Sequence, residues 1–263
     1  MRHLLLFVLL LSVSLAGQNS SSSDKPKDLY IRGLNALTGS VQSISVLTGV
    51  DLIRRSAELG YGPAQTSMGY IEETGISTTR VPQSAASWYK RAAESGDTLA
   101  AWSLGRLYFV SAIPERIDGE KWLQQAADKG DPFGAYLLAE SVFPRDRATA
   151  AKYYREAAEQ GLPFAQYRFG IALRDGLGIA VNKPAAYVWL LTSQQAGVQQ
   201  AADAVQALEA ELGSAGSEKG KTAARDLEDR VLRSRNAHGC TGWTGELDII
   251  PSPPPLDTER FCR

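Results

Sequence analysis

Ala92-Ala93-Glu94-Ser95-Gly96, preceded by Trp88, Tyr89 and Lys90, is the stretch that decides the fold, because the chain keeps returning to it. Residues 126–130 read Ala-Ala-Asp-Lys-Gly after Trp122, and residues 157–161 read Ala-Ala-Glu-Gln-Gly after Tyr153 and Tyr154. Residues 56–60 read Ser-Ala-Glu-Leu-Gly, and a weaker copy ends Gln194-Gln195-Ala196-Gly197 after Trp189. The closing glycines 60, 96, 130, 161 and 197 are spaced by 36, 34, 31 and 36 residues. Self-similarity at a near-constant period in this range marks an array of helical repeats.

Within the copy at 97–130, Ala100, Leu104, Gly105 and Tyr108 share one face at 3.6 residues per turn. The other copies place Ala64, Met68 and Gly69 there, then Gly134, Leu138, Ala139 and Val142, then Ala165, Phe169, Gly170 and Leu173. A small residue beside a large one lets a second helix approach closely. That second helix is the one ending in Ala-Ala-x-x-Gly. Its alanines are strong helix formers, and its last glycine stands where a left-handed cap is wanted. Each unit is therefore expected to be a helix, a loop and an antiparallel helix. One pair cannot bury its own apolar face, so neighbours must stack.

The pattern resembles the Sel-one-like repeat family, relatives of the tetratricopeptide repeats, over residues 50–212. The fullest match is the copy at 162–197. It has Ala165 and Phe169-Gly170 in its first helix, the loop Asp175-Gly176-Leu177-Gly178-Ile179-Ala180-Val181-Asn182-Lys183, then Ala185, Ala186, Tyr187 and Trp189 in its second helix. The resemblance implies an all-α fold, a right-handed superhelical α/α solenoid with a C-terminal capping helix. It also implies a non-catalytic protein–protein adaptor, with envelope regulators, motility or secretion components, or surface-polysaccharide machinery as the kinds of partner. A superfold by itself fixes no activity.

The chain has 263 residues, 44% hydrophobic and 22% charged, with net charge −1, so nothing points to nucleic acid. Residues 1–16 read as a cleaved secretory signal: Arg2, the apolar run 4–13, then Ser14-Leu15-Ala16. The run is shorter than the roughly 20 residues that span a bilayer. The mature chain is expected to be exported, to the periplasm or beyond the cell, with no transmembrane span. Residues 17–27 read as a flexible linker. The array follows over 28–212: a degenerate pair at 28–60, full copies at 61–96, 97–130, 131–161 and 162–197, and a last helix at 198–212. Residues 213–220 are expected to break the helix, and the charged segment up to 235 to form the cap. The tail, 236–263, holds Cys240, Cys262 and the run Pro251-Ser252-Pro253-Pro254-Pro255. In an exported protein two cysteines bracketing such a loop read as a disulfide, which would stabilise the closed tail by about 3 kcal/mol. A docking segment is the rival reading, since Pro-rich chain is pre-extended.

The inventory for chemistry is thin, and no catalytic residue, metal ligand set or cofactor is expected. His238, two residues from Cys240, offers only a local Cys–His pair. No His/Cys cluster has metal-ligand spacing, and no glycine loop is followed by Lys-Ser/Thr. Ser87-Trp88-Tyr89-Lys90 matches the Ser-x-x-Lys string of penicillin-recognising acyl-transferases, but the partner strings Ser-Asp-Asn and Lys-Thr-Gly are absent. Some Cys-rich relatives in the family bind or slowly hydrolyse beta-lactams. They carry a cysteine pair in each repeat and this chain carries none there, so a beta-lactam or peptidoglycan-fragment protein is the alternative reading. A secreted effector engaging host proteins is a third. Glu72-Glu73 reads as a solvated helix end.

The first helices carry a second organised face. Down the array it reads Thr66, Trp102, Tyr136 and Tyr167; Pro63, Leu99, Phe133 and Phe164; Tyr70, Arg106, Glu140 and Ile171; Glu73, Phe109, Phe143 and Arg174. In tetratricopeptide-like superhelices this face lines the concave groove. Leu99, Phe133 and Phe164 are expected to pack between neighbours. Trp102, Tyr136 and Tyr167, with Tyr70, Arg106 and Arg174, are expected to be exposed and to bind an extended protein segment or a glycan, since Trp, Tyr and Arg dominate interface energies.

Overall fold

The computed structural model describes residues 25–37, 45–76, 79–110 and 116–237. The signal reading at 1–16, most of the linker, His238, and the Cys240–Cys262 disulfide with its Pro-rich loop lie outside the described residues. Every described element is helical. The chain divides into two compact units, residues 1–65 and 66–263.

The first unit contains α1 (Pro26–Leu37) and α2 (Val46–Glu58), packed on each other. Ser45 caps α2 by accepting from the Thr48 amide at 3.1 Å, so the helix starts earlier than residue 49, where the apolar pattern alone would start it. Ile53 of α2 is fully buried against Gly33 of α1, where a Cβ would lie 2.6 Å from the Ile53 side chain.

The second unit is built from helix pairs: α3 (Gly62–Thr74, whose first four residues fall in the first unit) with α4 (Pro82–Glu94), α5 (Thr98–Val110) with α6 (Arg116–Asp128), α7 (Pro132–Val142) with α8 (Arg147–Glu159), and α9 (Pro163–Asp175) with α10 (Lys183–Gln195). Each second helix also packs on the next first helix, α4 on α5, α6 on α7 and α8 on α9. A 3-10 turn (Gln199–Ala201) leads into α11 (Ala202–Ala237), which packs on α10.

The glycine columns have a steric cause. A Cβ on Gly69 would sit 2.5 Å from the Tyr89 ring, one on Gly105 2.5 Å from Leu123, and one on Gly170 2.6 Å from Leu190. Tyr89, Leu123, Tyr154 and Leu190 all stand seven residues before a closing glycine and are buried. The closing motif also has a definite geometry. In all five copies the glycine has φ between 82° and 100°. Its amide bonds the carbonyl of Ala57, Ala93, Ala127, Ala158 or Gln194, and the next amide bonds Ser56, Ala92, Ala126, Ala157 or Ser193, at 2.8–3.2 Å. This is the paired 5→2 and 6→1 cap that a left-handed glycine permits. Where serine replaces the first alanine, its hydroxyl donates to a first-helix proline carbonyl, Ser56 to Pro26 at 2.6 Å and Ser193 to Pro163 at 2.8 Å.

The expected break over 213–220 shrinks to one residue. Only Gly213 leaves helical geometry (φ 68°, ψ 179°), and the helix resumes at once. Gly220 stays helical because it packs on Tyr187, where a Cβ would lie 2.3 Å from the ring. Close approach, not chain breaking, is what this glycine supplies. Past the bend, Ala224, Leu227 and Val231 are buried and the charged positions point outward, as a capping stripe requires.

Candidate interaction face

The face of the first helices is largely filled by the repeats themselves. Trp102, Tyr136 and Arg106 are 2%, 2% and 4% exposed, which corrects the expectation that they stand open. Trp102 lies parallel to Phe133 of the next repeat, ring centroids 5.2 Å apart and planes 20° apart. Tyr136 tilts against Tyr154 at 6.1 Å. The cause is the spacing of the helices: α5 and α7 touch directly, so rings on one are sealed by the next. Phe133 is buried, and Leu99 and Phe164 pack against the same core, as expected of inter-repeat spacers.

Arg106 reaches back one repeat to an ion pair with Glu73, whose other carboxylate oxygen accepts the Tyr89 hydroxyl at 3.0 Å. Glu72 accepts the Trp88 indole N–H at 3.2 Å. The two glutamates are 7% and 2% exposed, so the last turn of α3 is not a solvated end. It is covered by α4 and α5, whose side chains provide the donors a buried carboxylate needs. Burial, then the neighbouring Glu73 charge, holds the Tyr89 phenol well above its usual range. The device recurs. Arg168 binds Glu140 with two hydrogen bonds of 2.7 and 2.9 Å, and Tyr154 donates to the same carboxylate at 2.8 Å. Glu73, Arg106 and Glu140 stand in the face read from the sequence, whereas Arg168 lies one position beyond Tyr167 and outside it. Pairing opposite charges across copies would have found the Glu73–Arg106 half of the network.

The aspartates that open α5 and α7 differ in their surroundings. Asp97 accepts the Thr66 hydroxyl at 2.9 Å and the Ala100 amide at 3.0 Å. Asp131 caps α7 through the Gly134 amide at 2.7 Å, and in the copy preceding it Trp102 stands where Thr66 stands in the copy preceding Asp97. Asp131 keeps some exposed surface, yet desolvation pushes its carboxyl up to about 7.

Three of the expected binding residues remain partly exposed: Tyr70, Tyr167 and Arg174. Tyr70 is isolated on α3, where burial and the nearby Glu73 raise its phenol. Tyr167 and Arg174 lie on one stripe of α9 with Ile171 between them, also partly exposed. The Arg174 guanidinium is clamped by Asp175 at 2.7 and 2.8 Å.

No chemistry assembles at the Ser-x-x-Lys string. Ser87 and Lys90 are both exposed, and the Ser87 hydroxyl donates to the Gln83 carbonyl of its own helix at 3.1 Å. Among the described residues no group of His, Cys, Asp or Glu is placed to hold a metal ion, and no helix is long and apolar enough to cross a membrane.

The Sel1 repeat signature matches residues 62–97, 98–131, 134–162 and 163–193. An uncharacterized protein of Neisseria meningitidis is 30% identical over 152 residues, covering 57% of this chain and 32% of that protein. Among solved structures, a protective antigen present in uropathogenic Escherichia coli strains and displaying an SLR fold superposes with a TM-score of 0.73 at 22% identity. That match covers 86% of this chain and 50% of the antigen. A Sel1 repeat protein from Oxalobacter formigenes superposes with a TM-score of 0.63 at 20% identity, covering 82% of this chain and 91% of that one. The chain thus spans a third of the Neisseria protein and half of the E. coli antigen. Sel1 repeat proteins are generally protein-interaction scaffolds and typically non-catalytic. With four matched repeats, helix pairs at each of them and the same fold in these solved structures, the chain belongs to the Sel1 repeat family.

Proposed function

We propose that this protein is an exported, non-catalytic scaffold of the cell envelope that holds an extended segment of a protein partner against the first-helix face of its last full repeat. The observation that carries the reading is the contrast along one face. Trp102, Tyr136 and Arg106 are consumed by contacts between repeats, whereas Tyr167 and Arg174 keep accessible surface. Amphipathic rings and arginine left at a surface are the side chains that dominate association energies. The apolar run 4–13 followed by Ser14-Leu15-Ala16 supports export.

The test is affinity capture from cell-envelope extract with the parent protein beside a Tyr167→Ala/Arg174→Ala variant whose circular dichroism matches the parent. A partner retained by the parent and lost by the variant supports the reading. Equal retention by both removes binding from this face.

A further inference from the structure

Beyond its bend, α11 carries charge on its outer side that the fold does not use. Ala223, Asp226, Asp229, Arg230 and Arg233 are all exposed on that side, and an open cavity of about 460 Å³ lies along them. Among the described residues α11 alone lines it. A single helix is convex, so a cavity along it needs a second wall. The last two turns, 230–237, hold Arg230, Arg233 and Arg235 and neither Asp nor Glu. Asp226 and Asp229 stand one turn before Arg230 and Arg233, the spacing at which helical ion pairs form. Neither pair is made among the described residues, whereas Lys221, nearer the bend, pairs with Glu209 at 3.6 Å and with Glu218 at 3.2 Å. Leu232, three residues past Asp229, is 46% exposed.

We infer that the second wall is this chain's own segment 242–250, folded back along α11 so that Glu246 and Asp248 meet Arg230 and Arg233. Three observations select it. First, it is tethered to the surface it covers. Ala237 ends α11, and Ala223 lies about 21 Å back along the helix, a span that about seven extended residues cross. Glu246 and Asp248 come nine and eleven residues after Ala237, enough chain to turn and reach both arginines. Second, the charges are complementary. From 238 to 259 the sequence holds Glu246, Asp248, Asp257 and Glu259 and neither Lys nor Arg, whereas the only charged residues of 230–237 are arginines. Third, Leu247, Ile249 and Ile250 flank those acids and supply apolar cover for Leu232. The contact does not depend on the scaffold reading above. An acidic segment of another protein would enter this seat only by displacing the tail, so the tail sets access to this end of the array.

Hydrogen exchange read by peptide mass spectrometry on the full chain tests this. Amides of 242–250 are expected to exchange roughly tenfold more slowly in the parent than in an Arg230→Glu/Arg233→Glu variant. Adding Glu246→Arg and Asp248→Arg to that variant remakes the pairs in reverse and should restore the protection. A closed Cys240–Cys262 loop would also slow exchange, but it is indifferent to the sign of residues 230 and 233, so loss and recovery with charge belong to the contact. Rapid exchange over 242–250 in the parent, equal exchange in the charge-reversed protein, or no recovery in the fourfold variant overturns the inference. So does protection that falls on dilution, which would seat the segment of a second molecule instead. If the charge-reversed protein does not fold, the parent decides through salt. Exposed pairs are screened, so protection should fall between about 0.05 M and about 1 M sodium chloride, and protection that salt leaves unchanged overturns the contact.

Discussion

Single residues in this array act through what they seal. Arg106 and Glu73 are each about 95% buried and face one another across a repeat boundary. Arg106→Ala leaves the Glu73 carboxylate without its counter-ion and is expected to cost about 3–5 kcal/mol in urea denaturation. Replacing both members by leucine should recover a large part of that loss, because no uncompensated charge remains. Gly178 shows a different constraint. It has φ +77°, and a Cβ there would lie 2.1 Å from the Arg147 carbonyl oxygen, a backbone atom that cannot swing aside. Gly178→Ala should destabilise by at least about 2 kcal/mol in the same assay. Gly62, where nothing lies within 4 Å, should accept alanine with little change. The closing glycines were legible in the sequence because their period exposed them. The burial of Glu72 and Glu73 was not, since a pair of carboxylates at a helix end reads as solvated until the donors from two other helices are known.

At the scale of helices, the array is held by second helices wedged between successive first helices, and the first-helix face is closed by rings. Trp102→Ala removes a buried stacked ring and should cost about 3–5 kcal/mol, while Tyr167→Ala, at a partly exposed position, should cost about 1 kcal/mol. Comparable losses in calorimetry would show that Tyr167 is core. The cap of α7 carries a pH signature. The Asp131 carboxyl is raised to about 7 in the folded protein from 3.8. Between those values the folded state binds more protons than the unfolded chain, so this group's contribution falls as pH rises from 4 to 7 and is level above. Asp131→Asn should flatten the pH dependence of the denaturation midpoint across that window, and an unchanged profile would contradict the assignment. Helix existence and pairing were readable from periodicity. Exposure on the first-helix face was not, because a helical wheel gives a direction and says nothing of whether the adjacent helix is near enough to cover it. The same limit explains Gly220: composition suggested a breaker, and the neighbouring Tyr187 decided otherwise.

For the molecule as a whole, the central claim is that a Sel1 repeat chain of this kind works by holding a partner where its own repeats stop filling the first-helix face. Fold and family followed from five related copies at near-constant spacing. The partner's identity did not, because the surface residues that choose it obey no repeat rule. The most direct measurement is site-specific photocrosslinking in cells, with a benzophenone amino acid at position 167 and, as the outer control, at the exposed Lys90 of α4. The account predicts a discrete crosslinked protein species from position 167 that is absent from position 90. Crosslinks from position 90 alone, or none from 167 in a correctly folded and exported protein, would contradict it.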